Sequence, residues 1–198
     1  MLSMSALGAW AQVGTLDKIG AQTVCLTGLA EPYGVINTAG STYSWQVLGG
    51  TSITDWVLTS TTSNLATVLW KTAGTYTVQV FETNALNCVV GSPVTVIVTV
   101  NNLPIPAIAG NAAACLNSTG NVYTTQSGMT GYAWTVVGGT ITSGGTATDA
   151  TATITWTSAG AKSVSVNYTN ATGCTAASPT VYNVTVNDLP ATSPIYHN

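Results

Sequence analysis

Apolar and polar residues alternate along much of this chain. In Thr75-Tyr76-Thr77-Val78-Gln79-Val80 and Ser163-Val164-Ser165-Val166-Asn167-Tyr168 every second side chain is apolar. Thr95-Val96-Ile97-Val98-Thr99-Val100 and Tyr182-Asn183-Val184-Thr185-Val186 follow the same rhythm. A period of two sends alternate side chains to opposite faces of an extended backbone, so each segment predicts a strand with one buried face. Gly49-Gly50, Gly138-Gly139 and Gly144-Gly145 punctuate these runs as turns. No segment carries a helical apolar period. Short strands at regular spacing with Gly-rich turns predict an all-β chain built as β-sandwiches.

The pattern occurs twice. Tyr43-Ser44-Trp45 matches Tyr132-Ala133-Trp134, and Val47-Leu48-Gly49-Gly50-Thr51 matches Val136-Val137-Gly138-Gly139-Thr140. Val68-Leu69-Trp70 before Ala73-Gly74 matches Ile154-Thr155-Trp156 before Ala159-Gly160. Val98 to Pro104 matches Val184 to Pro190 almost residue for residue. A tandem repeat of this period predicts an array of small domains of about seven strands each. The expected boundaries are an N-terminal extension over 1–20, a first domain over 21–104, a linker over 105–113 stiffened by Pro104 and Pro106, a second domain over 114–190, and a tail over 191–198. Trp45, Trp70, Trp134 and Trp156 recur at matching positions and are expected in the cores. Trp10 and Trp56 fall outside the repeat and are expected on contact surfaces.

Composition narrows the function. The 198 residues include three Lys, no Arg and six acidic side chains, a net charge of −3, and only 5% of the chain is charged. Phosphate binding needs clustered cations, so a nucleic-acid role is excluded. Charges also keep protein surfaces apart. A surface covered by Thr, Ser, Asn and Gly tolerates close packing against copies of itself, which points to a homo-oligomer or polymer.

Met1 to Gln12 contains a short apolar run ending in Ala9-Trp10-Ala11, which predicts export and cleavage after Ala11. No run of about 20 apolar residues predicts a transmembrane helix. Export suits disulfides, and the four cysteines fall as one pair per repeat, Cys25 with Cys88 and Cys115 with Cys174. Four cysteines allow three connectivities, and repeat symmetry selects the one within each repeat. Each bridge would close a loop of about 60 residues, worth roughly 3–4 kcal/mol in the chain-entropy picture. With no Cys-x-x-Cys and no His nearby, a zinc site is not expected.

Catalytic constellations are missing as well. His197 is the single histidine, at the second-last position, so no base is available to a nucleophile held by a third group. Asp17, Glu31, Asp55, Glu82, Asp149 and Asp188 are scattered singly, with no matched acid pair; Asp55 and Asp149 are expected in corresponding loops, where they serve as turn residues. No cofactor is expected. The candidate assembly contacts are therefore apolar: Trp10, Val13, Leu16 and Ile19 before the first domain, Trp56 within it, and Ile195 and Tyr196 in the tail.

Taken in order, Cys115, Tyr132-Ala133-Trp134-Thr135-Val136, Gly138-Gly139-Thr140-Ile141, Ile154-Thr155-Trp156, Ala159-Gly160, Gly173-Cys174, Ser178-Pro179 and Val184-Thr185-Val186-Asn187-Asp188-Leu189-Pro190 resemble the PKD-like, immunoglobulin-type repeats of bacterial cell-surface adhesins and gliding-motility proteins secreted by the type IX pathway. The resemblance covers 25–190. Asn170-Ala171-Thr172-Gly173-Cys174 fits the cysteine-bearing turn, and Asn84-Ala85-Leu86-Asn87-Cys88 departs from it by placing Asn where Gly stands. The Trp-Asp-Phe-Gly-Asp-Gly signature of better-known PKD domains is replaced by Gly-Gly-Thr-Ile-Thr. The resemblance implies extracellular Ig-like sandwiches that act as spacers or adhesive modules without catalysis. The functional expectation is a secreted, cell-surface structural protein that forms a filament, sheath or array; the alternative is a monomeric adhesin or carbohydrate-binding module.

Overall fold

A computed structural model describes residues 20–60, 63–89 and 91–197. The chain divides between Asn102 and Leu103 into two compact units. Each unit holds seven strands among the described residues. In the first they are β1 (Gln22–Cys25), β2 (Ala30–Gly34), β3 (Thr42–Leu48), β4 (Trp56–Ser60), β5 (Leu65–Trp70), β6 (Gly74–Thr83) and β7 (Val94–Asn101). In the second they are β8 (Ala113–Cys115), β9 (Asn121–Thr124), β10 (Thr130–Val137), β11 (Gly139–Gly144), β12 (Thr151–Trp156), β13 (Gly160–Thr169) and β14 (Thr180–Asn187). The described strands form an all-β fold of two sandwiches, as the alternation predicts.

Both units share one topology. A four-stranded sheet, β1-β7-β6-β3 or β8-β14-β13-β10, faces a three-stranded sheet, β2-β5-β4 or β9-β12-β11. The first strand joins its sheet parallel to the last, with Cys25 opposite Asn101 and Cys115 opposite Asn187. All other named pairings are antiparallel. The inward residues are those the period of two selects: Tyr76, Val78 and Val80 on β6 and Val164, Val166 and Tyr168 on β13 are all buried.

Tryptophan and tyrosine organise each core. Trp70 and Trp156 end the middle strand of the three-stranded sheet and are almost fully buried. Each meets a tyrosine of the neighbouring strand edge-on, Tyr33 at 6.4 Å and Tyr123 at 6.1 Å between ring centroids. The Tyr-x-Trp motif of β3 and β10 pins two loops. Tyr43 Oη accepts a hydrogen bond from Thr38 N (2.7 Å), and Tyr132 Oη donates to Gln126 O (2.7 Å), each anchoring the loop that precedes its strand. Trp45 Nε1 donates to Ser63 O (3.0 Å) and Trp134 Nε1 to Asp149 O (2.9 Å), each anchoring the loop before the middle strand. The expected core placement of these four tryptophans holds, with Trp134 packed at the margin.

Three local expectations change. Gly50 and Gly139, aligned by sequence, are not structural counterparts: Trp56 opposes Trp70 where Gly139 opposes Trp156. Residues 50–55 are thus an insertion in the first unit, and Asp55 and Asp149 lie in different loops, before β4 and before β12. The insertion explains why Trp56 falls outside the repeat. The segment 105–113, read as a linker, is built largely into the second unit. Ala109 bridges Thr124, Thr125 Oγ1 donates to Ala107 O (2.7 Å), and Ile108 packs on the core.

Truncating Trp156 to Ala is expected to cost the second unit about 3–5 kcal/mol, the range for a buried large aromatic. Chemical denaturation of the full chain should then resolve an early transition of that unit, and an unchanged profile would contradict the core assignment.

Candidate interaction surfaces and the cysteine ends

The strand register fixes where each cysteine can reach. Cys25 lies beside Asn101, the end of β7, next to Gly74, the start of β6. Cys88 follows the far end of β6, where Thr83 bridges Val89. Nine residue steps, from Gly74 to Thr83, separate these ends, about 30 Å at 3.3 Å per residue. Cys115 and Cys174 are split the same way: Cys115 pairs with Asn187, and Cys174 lies in the turn closed by the Thr169–Thr175 bridge. A disulfide requires Cα atoms about 4.4–6.8 Å apart. The bridges expected within each repeat therefore do not form. Cys25 and Cys174 are disulfide-bonded, whereas Cys88 and Cys115 are free, exposed thiols. Each unit has an exit cysteine (Cys25, Cys115) at one end of its four-stranded sheet and a hairpin cysteine (Cys88, Cys174) at the other.

The hairpin turns are near copies. Asn84 Oδ1 accepts from Leu86 N (2.9 Å) and Cys88 N (3.0 Å), and Asn84 N donates to Cys88 O (3.0 Å). Asn170 Oδ1 accepts from Thr172 N (3.1 Å) and Cys174 N (2.9 Å), and Asn170 N donates to Cys174 O (2.9 Å). The residue before each cysteine takes positive φ, 61° at Asn87 and 83° at Gly173. Asn tolerates this left-handed region, so the departure from Gly leaves the turn intact. The exit positions also agree, with Leu26 N donating to Asn101 O (2.9 Å) and Leu116 N to Asn187 O (2.8 Å).

Of the expected assembly contacts, Ile195 and Tyr196 are strongly exposed. Trp10, Val13, Leu16 and Ile19 lie outside the described residues. Trp56 is half-buried: it packs against the first core, and its Nε1 donates to Gly49 O (2.9 Å) in its own unit.

Asp55 and Asp149 act as turn locks. Asp55 Oδ2 accepts from Thr51 N (2.7 Å) and Oδ1 from Thr72 Oγ1 (2.8 Å), and these bonds lower its pKa. Asp149 accepts from the hydroxyl and the backbone N–H of Thr146, which likewise lower its pKa. No group of three or more His, Cys, Asp or Glu among the described residues is placed to hold a metal. Tyr33 behaves oppositely: burial, with the nearby Glu31 charge, raises its pKa to about 12, against the opposing effect of the Trp70 N–H.

Residues 101–184 match the family model described as PKD-like domain. No curated protein matches the sequence significantly. Among solved structures, the chain is similar to the fibronectin(III)-like modules of CbhA from Clostridium thermocellum, at 13% identity over 92% of this chain and 97% of that one, TM-score 0.40. It is similar to the Escherichia coli adhesin FdeC at 14% identity over 83% of this chain and 61% of that one, TM-score 0.41. It is also similar to the extracellular cadherin domains of protocadherin gamma B2, at 12% identity over 92% of this chain and 40% of that one, TM-score 0.39. The chain thus spans less than two thirds of the FdeC and protocadherin chains.

Two predictions follow from these turns and rings. Asn170→Ala removes the acceptor of two backbone N–H groups and is expected to cost the second unit about 1–3 kcal/mol, measured by urea denaturation. Tyr33 stays protonated in the folded state after the unfolded phenol, near pH 10, has lost its proton, so the unfolded chain binds fewer protons and stability falls from pH 10 towards about 12. Tyr33→Phe should flatten the loss in the first unit over this window, followed by denaturant midpoints; an unchanged slope would refute the assignment.

The second unit, of which residues 101–184 match the PKD-like domain model, folds as a seven-stranded sandwich, and the first unit repeats its motifs and its strand order.

Proposed function

We propose that this chain is a non-catalytic, extracellular structural module that assembles with copies of itself through uncharged sheet faces. The carrying observation is the outer face of the four-stranded sheet in each unit. Its cross-strand rows read Gln46-Gln79-Thr95 and Leu48-Thr77-Ile97 in the first unit. They read Thr135-Ser165-Val181 and Val137-Ser163-Asn183 in the second. None of these positions is charged. The rows carry exposed apolar side chains (Leu48, Ile97, Val137 and Val181) between hydroxyl and amide groups. In the first unit Gln79, itself buried, donates from Nε2 to Gln46 Oε1 (2.7 Å), which joins the two amides across the strands. Such a face presents little electrostatic repulsion to a copy of itself. Export, read from Ala9-Trp10-Ala11 and from the presence of disulfide-bonded cysteines, supports the extracellular setting.

A glycan-binding reading has less support. Sugar stacking uses exposed aromatic rings. Trp56 is packed inward, and Tyr196 is the strongly exposed aromatic among the described residues.

Assembly by uncharged faces is expected to be insensitive to salt. Sedimentation velocity of the reduced protein should show concentration-dependent oligomers whose proportion holds from about 0.1 M to about 1 M NaCl, while the Debye length falls from about 10 to about 3 Å. Negative-stain microscopy should show extended or layered particles. Dispersed monomers at high concentration would overturn the reading.

A further inference from the structure

We propose that Cys88 and Cys115 join copies of this chain head to tail through an intermolecular disulfide, the exit cysteine of one second unit to the hairpin cysteine of the next first unit. The proposal deepens the assembly reading and gives it a covalent link with a defined polarity.

Four observations carry it. First, the strand register places the two cysteines of a unit about 30 Å apart, so neither free thiol can find the other cysteine of its own unit. Second, the two bonded cysteines are one of each kind, the exit cysteine Cys25 and the hairpin cysteine Cys174. Third, the two free thiols are also one of each kind, hairpin Cys88 and exit Cys115, and both are exposed. Fourth, the free positions are built as the bonded ones are. The Asn84 turn holds Cys88 with the same three hydrogen bonds with which the Asn170 turn holds Cys174, and Cys115 pairs with Asn187 as Cys25 pairs with Asn101. Two sites already shaped for a disulfide thus stand free at opposite kinds of end.

The surroundings favour a second copy as the partner. Around Cys88, Leu86 is 82% exposed and Val89 59% exposed, where the bonded turn carries Thr172 and Thr175. Beyond Asn187 at the other end, Leu189 is 55% exposed. Contact between the two ends buries these apolar side chains together. Joining unlike ends is a heterologous contact that repeats from copy to copy, so a contact that does not close into a ring grows a linear polymer.

The chemistry is thiol–disulfide exchange. A Cys88 thiolate attacks a low-molecular-weight disulfide, forms a mixed disulfide and releases one small thiol. The Cys115 thiolate of a second copy then attacks the protein sulfur and displaces the second small thiol. The two protein thiols lose two electrons, the small disulfide gains them, and the two protons leave on the released thiols.

The test uses the full chain incubated with oxidised glutathione and resolved on non-reducing gels. Wild type should form a ladder of dimers, trimers and longer species that dithiothreitol collapses to monomer. Cys88→Ser and Cys115→Ser should each abolish the ladder; both side chains are exposed, so the folds are retained. An equimolar mixture of the two variants should form a dimer about tenfold faster than either variant alone, since only unlike ends match. Mixing ¹⁵N-labelled and unlabelled wild type should give cross-linked Cys88–Cys115 peptides of mixed label. A Cys88–Cys115 peptide confined to one label, dimers of like cysteines forming as fast as mixed ones, or the absence of any ladder would each overturn the proposal. Salt-independent oligomers in reductant without a ladder in oxidant would sink the covalent link and leave the uncharged-face reading standing; a ladder without such oligomers would do the reverse.

Discussion

Each unit depends on one contact between its sheets: the tryptophan that ends the middle strand of the three-stranded sheet. Trp70 and Trp156 lie where the two sheets face, edge-on to Tyr33 and Tyr123, among the inward valines of the four-stranded sheet. A small sandwich buries a limited share of its surface, so a few large aromatics supply much of its hydrophobic stabilisation. The Tyr-x-Trp pair on β3 and β10 extends this economy to the loops, because each ring packs on the core while its polar atom fastens a loop backbone. Two loops at the hairpin-cysteine end of each sandwich are thereby fastened by aromatic side chains.

Strand length imposes the second constraint. The first and last strands run parallel and finish together, and the cysteine of the short first strand is carried to the exit end. The other cysteine closes the hairpin that follows the long sixth strand, a full sheet length away. Disulfides in this protein therefore cannot staple a unit to itself, and stability within each unit rests on packing and hydrogen bonding. The same constraint turns the cysteines into markers of the two ends, which is a property suited to repeated modules.

Much of this was legible in the chain. Alternation identified the strands on β6, β7, β13 and β14 because each has one wet face, and a period of two has a single structural meaning there. The repeat exposed the modules, and the scarcity of charge exposed the character of the faces. Trp56 falls outside the repeat for a definite reason: six residues, 50–55, are inserted in the first unit, and the matching Gly-Gly-Thr strings hide the slip. The segment around Ala109 reads as linker because its prolines suggest one, yet its backbone groups are satisfied by β9 and its flanks.

The sequence by itself determined the class of fold, the number of modules and the buried face of each strand, because these follow from local periodicity and from the repeat. Tertiary structure alone decided the cysteine connectivity. Repeat symmetry is satisfied equally by cysteines that pair inside a module and by cysteines that pair outward, and only the parallel register of the first strand against the last shows that the two lie at opposite ends. Distance along the sheet, invisible in residue spacing, turned an expected internal staple into a pair of outward-facing thiols.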